Sequence, residues 1–135
     1  MRFGTRLLKM CAVAAALLAS TVQAQDIRIG YNADQSASGV AELGTAGRWG
    51  FEAAIEDINK TGIKSLGGAK LDVMLGDAQS TPQAGAAEIE KMNEAGCSAV
   101  VGAFASAICL ATTQAAAKYN LPHVVDVGVA DQIVE

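Results

Sequence analysis

Ligand-holding side chains are sparse in this sequence, and the sharpest group lies in Gly102-Ala103-Phe104-Ala105-Ser106-Ala107. Small residues there let a backbone approach a ligand closely, and a serine hydroxyl beside the free amides of a helix start is suited to receive a carboxylate. The same serine would equally act as a cap on its own helix. Asp126 is the sole ionisable side chain in the apolar run Val124 to Val129. A carboxylate in that place suits a ligand ammonium or guanidinium group, and suits as well a solvated strand end or a cap for the next element. Asp77 and Gln79 follow an apolar run and fit turn and cap chemistry as readily as ligand contact.

Other chemistries lack their parts. His123 is the one histidine, with no second His and no Asp or Ser at catalytic spacing. It is expected to be structural, at the starting end of its strand and away from the cleft. Gly44, Gly47 and Gly50 form a G-x-x-G-x-x-G run, but inside a helical stretch instead of directly after the first strand, so it is not the dinucleotide fingerprint. Neither G-x-x-x-x-G-K-[ST] nor G-x-S-x-G occurs, which removes the best support for phosphate-loop and hydrolase chemistry. The expectation is a protein that is not an enzyme and that uses no cofactor and no metal.

The first residues speak to compartment. Arg2, Arg6 and Lys9 make a basic leader, and Met10 to Ala19 is an apolar run. That run is too short for a membrane-crossing helix, which needs about 20 residues. Val22-Gln23-Ala24 then suits a signal peptidase cutting before Gln25, so residues 1–24 read as a cleavable signal peptide and the mature chain as periplasmic. Cys11 would leave with the signal, and Leu8-Lys9-Met10 is the wrong sequence for a lipid anchor. The formal net charge of −4 becomes more negative once three basic leader residues are lost. An acidic exported body is a poor candidate for nucleic acid or anionic membrane, since either calls for a basic face.

The elements that must carry these residues alternate. Ile27 to Tyr31 alternates apolar and polar as a strand, and Asn32 to Gly39 is a polar loop. From Glu42 to Asn59, the residues Gly44, Gly47, Phe51, Ala54, Ile55 and Ile58 trace the stripe of a helix packed on a sheet, closed by Gly62. Trp49 falls one position off that stripe, toward a surface or an interface. Lys70 to Gly76 makes a second strand, and Thr81-Pro82 caps a helix reaching about Ala95. A short apolar strand, Ser98 to Gly102, leads to a helix from Ser106 to about Asn120, and Leu121-Pro122 precedes a strand from His123 to Val127. Four strands alternating with three helices predict an α/β fold with a doubly wound parallel sheet. Cys97 and Cys109 then fall at opposite ends of one strand, farther apart than the roughly 7 Å between Cα atoms that a disulfide tolerates. Two buried thiols, or pairing outside the chain, are expected. Asp131 to Glu135 opens a further element and stops, so residues 25–135 read as one truncated domain.

These pieces, in this order, resemble the substrate-binding proteins of ABC importers, specifically the leucine/isoleucine/valine-binding family. The matching runs are Ile27-Arg28-Ile29-Gly30, Ala54-Ile55-Glu56-Asp57-Ile58-Asn59, Gly67-Gly68-Ala69-Lys70-Leu71, Asp77-Ala78-Gln79-Ser80-Thr81-Pro82, Ala99-Val100-Val101-Gly102 and Leu121-Pro122. The resemblance implies the N-terminal part of lobe I of a type I periplasmic binding protein. Such a protein closes around a small solute and delivers it to an ABC permease in the inner membrane. It implies that the loop at Ala105 and Ser106 and the loop at Val127, Gly128 and Val129 hold an amino acid's carboxylate and ammonium groups. Together with Asp126 these are the candidate ligand-binding residues. The second loop departs from the family's Ser-Pro-x-Ala/Gly-Thr run and lacks its threonine hydroxyl, which keeps an amide or a small carboxylate open as ligand beside an amino acid. A ligand-sensing receptor ectodomain of the same fold is the alternative; an exported enzyme would need a nucleophile, base or metal set that these residues do not supply. A single wall of a cleft is expected to bind solute weakly or not at all.

Overall fold

The strands and helices follow from residue pattern and from where hydrogen-bond partners run out. The computed structural model describes residues 24–36 and 39–134. Except for Ala24, the leader read over residues 1–24 lies outside them. Strand β1 (Ile27–Ala33) is followed by helix α1 (Ala41–Thr61), β2 (Leu71–Asp77), α2 (Pro82–Glu94), β3 (Ala99–Gly102), α3 (Ser106–Lys118) and β4 (His123–Val124). One-turn 3₁₀ helices at Lys64–Leu66 and Asp131–Ile133 complete the elements. The four strands form a single sheet in the order β2-β1-β3-β4, every pairing parallel. The predicted doubly wound α/β arrangement is thus observed.

Side-chain parity along β1 assigns the layers. Successive strand residues face opposite sides of a sheet. Tyr31 stacks on Phe51 of α1, with ring centroids 4.6 Å apart and planes 23° from parallel. On the other face, the Asn32 side-chain amide donates to the Gly85 carbonyl of α2 at 2.9 Å. Helices α2 and α3 share that second face, where Ile89, Met92, Cys97, Val100, Ala115, Ala116 and Leu121 form the main core. A smaller core of Ala78, Ala103, Ile108 and Cys109 lies near the ends from which the strands exit. Cys97 and Cys109 are both free and buried.

Local chemistry explains the helix starts. Thr81 is extended and its hydroxyl accepts from the Ala84 amide at 3.2 Å, with Pro82 as the first helical residue, as the Thr-Pro pair predicts.

Four readings need correction. Strand β1 runs two residues further than expected, because Asn32 and Ala33 still pair with Gly76 and Asp77. Strand β4 is shorter, ending at Val124 and not Val127: its neighbour β3 turns out of the sheet at Gly102 and Ala103, so the ladder has nothing to continue on. The 3₁₀ turn before β2 was not anticipated. The expected stripe on α1 is only partly covered. Gly44 is buried and Phe51 and Ile55 are half-buried, but Gly47 and Ala54 are open and Ile58 is 41% exposed. Alone among the described helices on its side of the sheet, α1 buries only a narrow strip. Trp49, expected off the stripe, is 66% exposed.

The exit of β3 is the most constrained backbone in the fold. Gly102 has φ 122°, and a Cβ there would lie 2.2 Å from the Asn32 carbonyl oxygen. Ala103, next in sequence, sits in the left-handed region at φ 57° while its amide donates to that same Asn32 carbonyl at 2.9 Å. Gly102→Ala is expected to destabilise the chain by about 3 kcal/mol, combining backbone strain with the clash. Urea unfolding midpoints of the two proteins check this.

Candidate functional site

All four strands deliver their loops to one edge, and that edge is where helix amides face outward. At β1 the exit is Asp34 to Ser36, at β2 Asp77 to Ser80, at β3 Ala103 to Ala105, and at β4 Val125 to Ala130. Two of these exits meet directly. The Val129 amide donates to the Ser106 hydroxyl oxygen at 3.2 Å, across 23 residues of sequence. Ser106 is therefore not the cap of its helix. Ala105 holds the cap position in an extended conformation with no side-chain bond, and Ser106 is the first helical residue. Because its oxygen accepts from Val129, the Ser106 hydroxyl keeps its own hydrogen to donate elsewhere. The first amides of α3 lack intrahelical carbonyls, as at any helix start.

Packing fixes these loops together. The Cys109 thiol, fully buried, donates to the Ala103 carbonyl at 3.1 Å. Its sulfur would be 2.3 Å from a Cβ on Gly128, so only glycine lets the β4 loop close onto α3. Burial, then the nearby Asp126 charge, pushes the Cys109 thiol up to about 11, which makes it a packing group and not a nucleophile. Ala105 packs on this small core together with Val125. Outside it, Val127 is 44% and Val129 86% exposed, so the rim offers apolar surface where a hydroxyl was absent from the sequence.

The acids divide by role. Partial burial pulls Asp77 upward, but hydrogen bonds from the Ser36 hydroxyl and from the Gln35, Gln79 and Ser36 amides hold it below the usual carboxylate range. The Gln35 and Gln79 amides reach it at 3.0 and 2.9 Å. Asp77 and Gln79 thus realise the turn chemistry that was one of their two readings. Asp126 is held less firmly: burial raises it, and the pull of its own amide, the Val127 amide and the nearby Tyr31 hydroxyl only partly offsets this.

Two residues at this edge escaped sequence reasoning. Asp34 is 0% exposed, and among the described residues neither of its carboxylate oxygens has a hydrogen-bond partner. Tyr31 is 1% exposed, with its hydroxyl likewise unpartnered. The sequence presented them only as a loop acid and a strand residue. His123 starts its strand as expected but is not remote from the exit loops. Its Nε2 lies 3.2 Å from the Gly102 carbonyl, and the ring lines an open pocket of about 410 Å³ with Thr113, Gly128 and Val129. The cause is the short β4: His123 pairs with Val100, only two residues from the end of β3. Among the described residues no group of three or more His, Cys, Asp or Glu is arranged to hold a metal ion, and no helix is long and apolar enough to cross a membrane.

The family described as periplasmic binding protein matches residues 26–133. Among solved structures, the chain is similar to the branched-chain amino acid transporter substrate binding protein LivJ from Streptococcus pneumoniae, solved in complex with isoleucine. The identity is 28%, the TM-score 0.74, and the alignment covers 80% of this chain and 30% of that one. The leucine binding protein LivK from Thermotoga maritima matches at 20% identity and a TM-score of 0.72, covering 81% and 30%. An ABC-type branched-chain amino acid transporter protein from Rhodopseudomonas palustris matches at 24% identity and 0.71, covering 80% and 29%. The last two likenesses speak to fold alone. No curated protein matches the chain. The chain spans about 30% of the length of the solved structures it resembles.

Burial holds His123 below its ordinary 6.5, offset in part by the Gly102 carbonyl. Above 6.5 the ring is neutral folded or unfolded and contributes no pH dependence. As pH falls below 6.5 the unfolded chain binds the proton first, so stability drops until the folded value is passed. Denaturant unfolding at pH 7.5 and 5.5 should show this loss, and His123→Gln should reduce it.

Proposed function

The chain belongs to the periplasmic binding protein family, a family of solute-binding proteins and not of enzymes, and from that premise we propose that it forms part of the extracytoplasmic solute receptor of an ABC importer. Its solute is an amino acid or a related small polar molecule, carried after signal-peptide cleavage through the periplasm to an inner-membrane permease. The relative from Streptococcus pneumoniae, a transporter binding protein holding isoleucine, supports this class of ligand.

The observation that carries the reading is the Val129 amide bound to the Ser106 hydroxyl. It joins the two loops at one spot and leaves the hydroxyl hydrogen free to donate, beside the first amides of α3. Such a group of donors at a helix start suits a carboxylate. Ala105 and Gly128 let the backbone come close, Val127 and Val129 offer apolar contact, and Asp126 supplies the one carboxylate of the β4 loop for a ligand nitrogen. With valine at position 129 in place of a hydroxyl residue, the cationic end of the solute depends on Asp126 more than on neutral acceptors.

Ser106→Ala removes the donor and leaves the Val129 amide without its acceptor. A hydrogen bond to a charged group contributes about 1.5–3 kcal/mol. Valine binding, measured by calorimetry or by amide shifts in NMR, is expected to weaken about tenfold or more. Binding as tight as in the parent would remove Ser106 from the site.

A further inference from the structure

Tyr31 lies on β1 with its ring clamped against Phe51 of α1 and only 1% of its surface exposed. Packing alone would be better served by phenylalanine, because a buried hydroxyl without a partner is destabilising. The ring's fixed orientation sets where that hydroxyl goes. It points at Gly47 of α1, where there is no side chain to meet it: a Cβ at Gly47 would lie 2.7 Å from the Tyr31 hydroxyl and 3.7 Å from Asp126 Oδ2. The phenol and the carboxylate therefore border one gap, opened by a glycine on a third element.

We infer that Tyr31 is a positioning residue for Asp126: its buried hydroxyl directs the carboxylate, and through it the ability of this wall to receive a cationic nitrogen. The second half rests on the reading of Asp126 as a ligand group. The two side chains stand outside ideal hydrogen-bond geometry but near enough to alter each other's protonation. Burial first, then the Asp126 charge, pushes the Tyr31 phenol up to about 12. In return the phenol pulls Asp126 down against the rise caused by burial. The other groups that act at this spot are Cys109 of α3, which feels both Asp126 and Asp34, and on α1 Arg48, which is engaged with Glu52 and Gln35 at 2.8 and 2.9 Å. Arg48 is committed, so beyond the backbone amides of Asp126 and Val127 the phenol is the side-chain donor that steers the Asp126 carboxylate.

The test is a pH titration of the Asp126 carboxyl carbon by NMR in the parent chain and in Tyr31→Phe, which keeps the ring and its stacking on Phe51. The Asp126 midpoint is expected to rise in the variant. Isobutylamine, added between pH 5 and 6, is expected to bind at least threefold more weakly, while isobutyrate binding is unchanged. An unaltered midpoint in Tyr31→Phe overturns the inference, since loss of packing alone would not hold it constant while changing amine binding. A shifted midpoint with no amine response in either protein upholds the coupling of Tyr31 to Asp126 and overturns Asp126 as a receiver of cations. Gly47→Ala keeps Tyr31 and fills the gap, and should raise the same midpoint; if Tyr31→Phe does not fold, this variant gives the decision.

Discussion

Four parallel strands leave their sheet at one edge, and every helix that follows a strand begins there. That constraint gathers loops from distant parts of the chain and points helix amides the same way. The remaining features serve to hold the gathered loops at contact distance. Gly102 and Ala103 take backbone conformations that side chains disfavour, so that β3 can turn into α3 against the Asn32 carbonyl. Gly128 lets the β4 loop rest on Cys109. Once both are in place, the Val129 amide meets the Ser106 hydroxyl.

The edge treats its charges unequally, and this separates structural acids from the candidate ligand group. Asp77 is surrounded by donors and held below the ordinary range, so its charge is spent on fastening the β1 exit to β2. Asp126 is only partly compensated and faces a phenol that is itself hard to ionise. Apolar rim residues lie beside it, with Val129 86% exposed. A surface of that kind matches a solute with one charged end and a small apolar body better than a fully polar one.

The alternation of elements was legible because strands and helices carry their own patterns: the Thr81-Pro82 start and the apolar Ala99 to Gly102 run need no distant partner. Where pattern and partner disagreed, reading failed. Val125 and Val127 flank Asp126 with β-branched side chains as a strand should, but β3 has left the sheet by then. Ile58 sits at helical spacing without a layer over it among the described residues. The loops of the site were legible as strand exits, whereas the direction of the Ser106 hydroxyl was not, since a local cap and a contact 23 residues away begin from the same sequence. Tyr31 and Asp34 were illegible for a similar reason: what marks them is a buried atom without a partner, which only three-dimensional packing reveals.

The central claim is that the two loops joined by Ser106 and Val129 form the solute-receiving surface of this lobe. The most direct measurement is a map of backbone amide shifts in the isotope-labelled chain as valine is added to millimolar excess. The account predicts that the amides of Ser106 and Ala107 and those from Val127 to Val129 move together along one binding curve. Shifts that leave these residues still while others move, or no saturable shift at any of them, would contradict it.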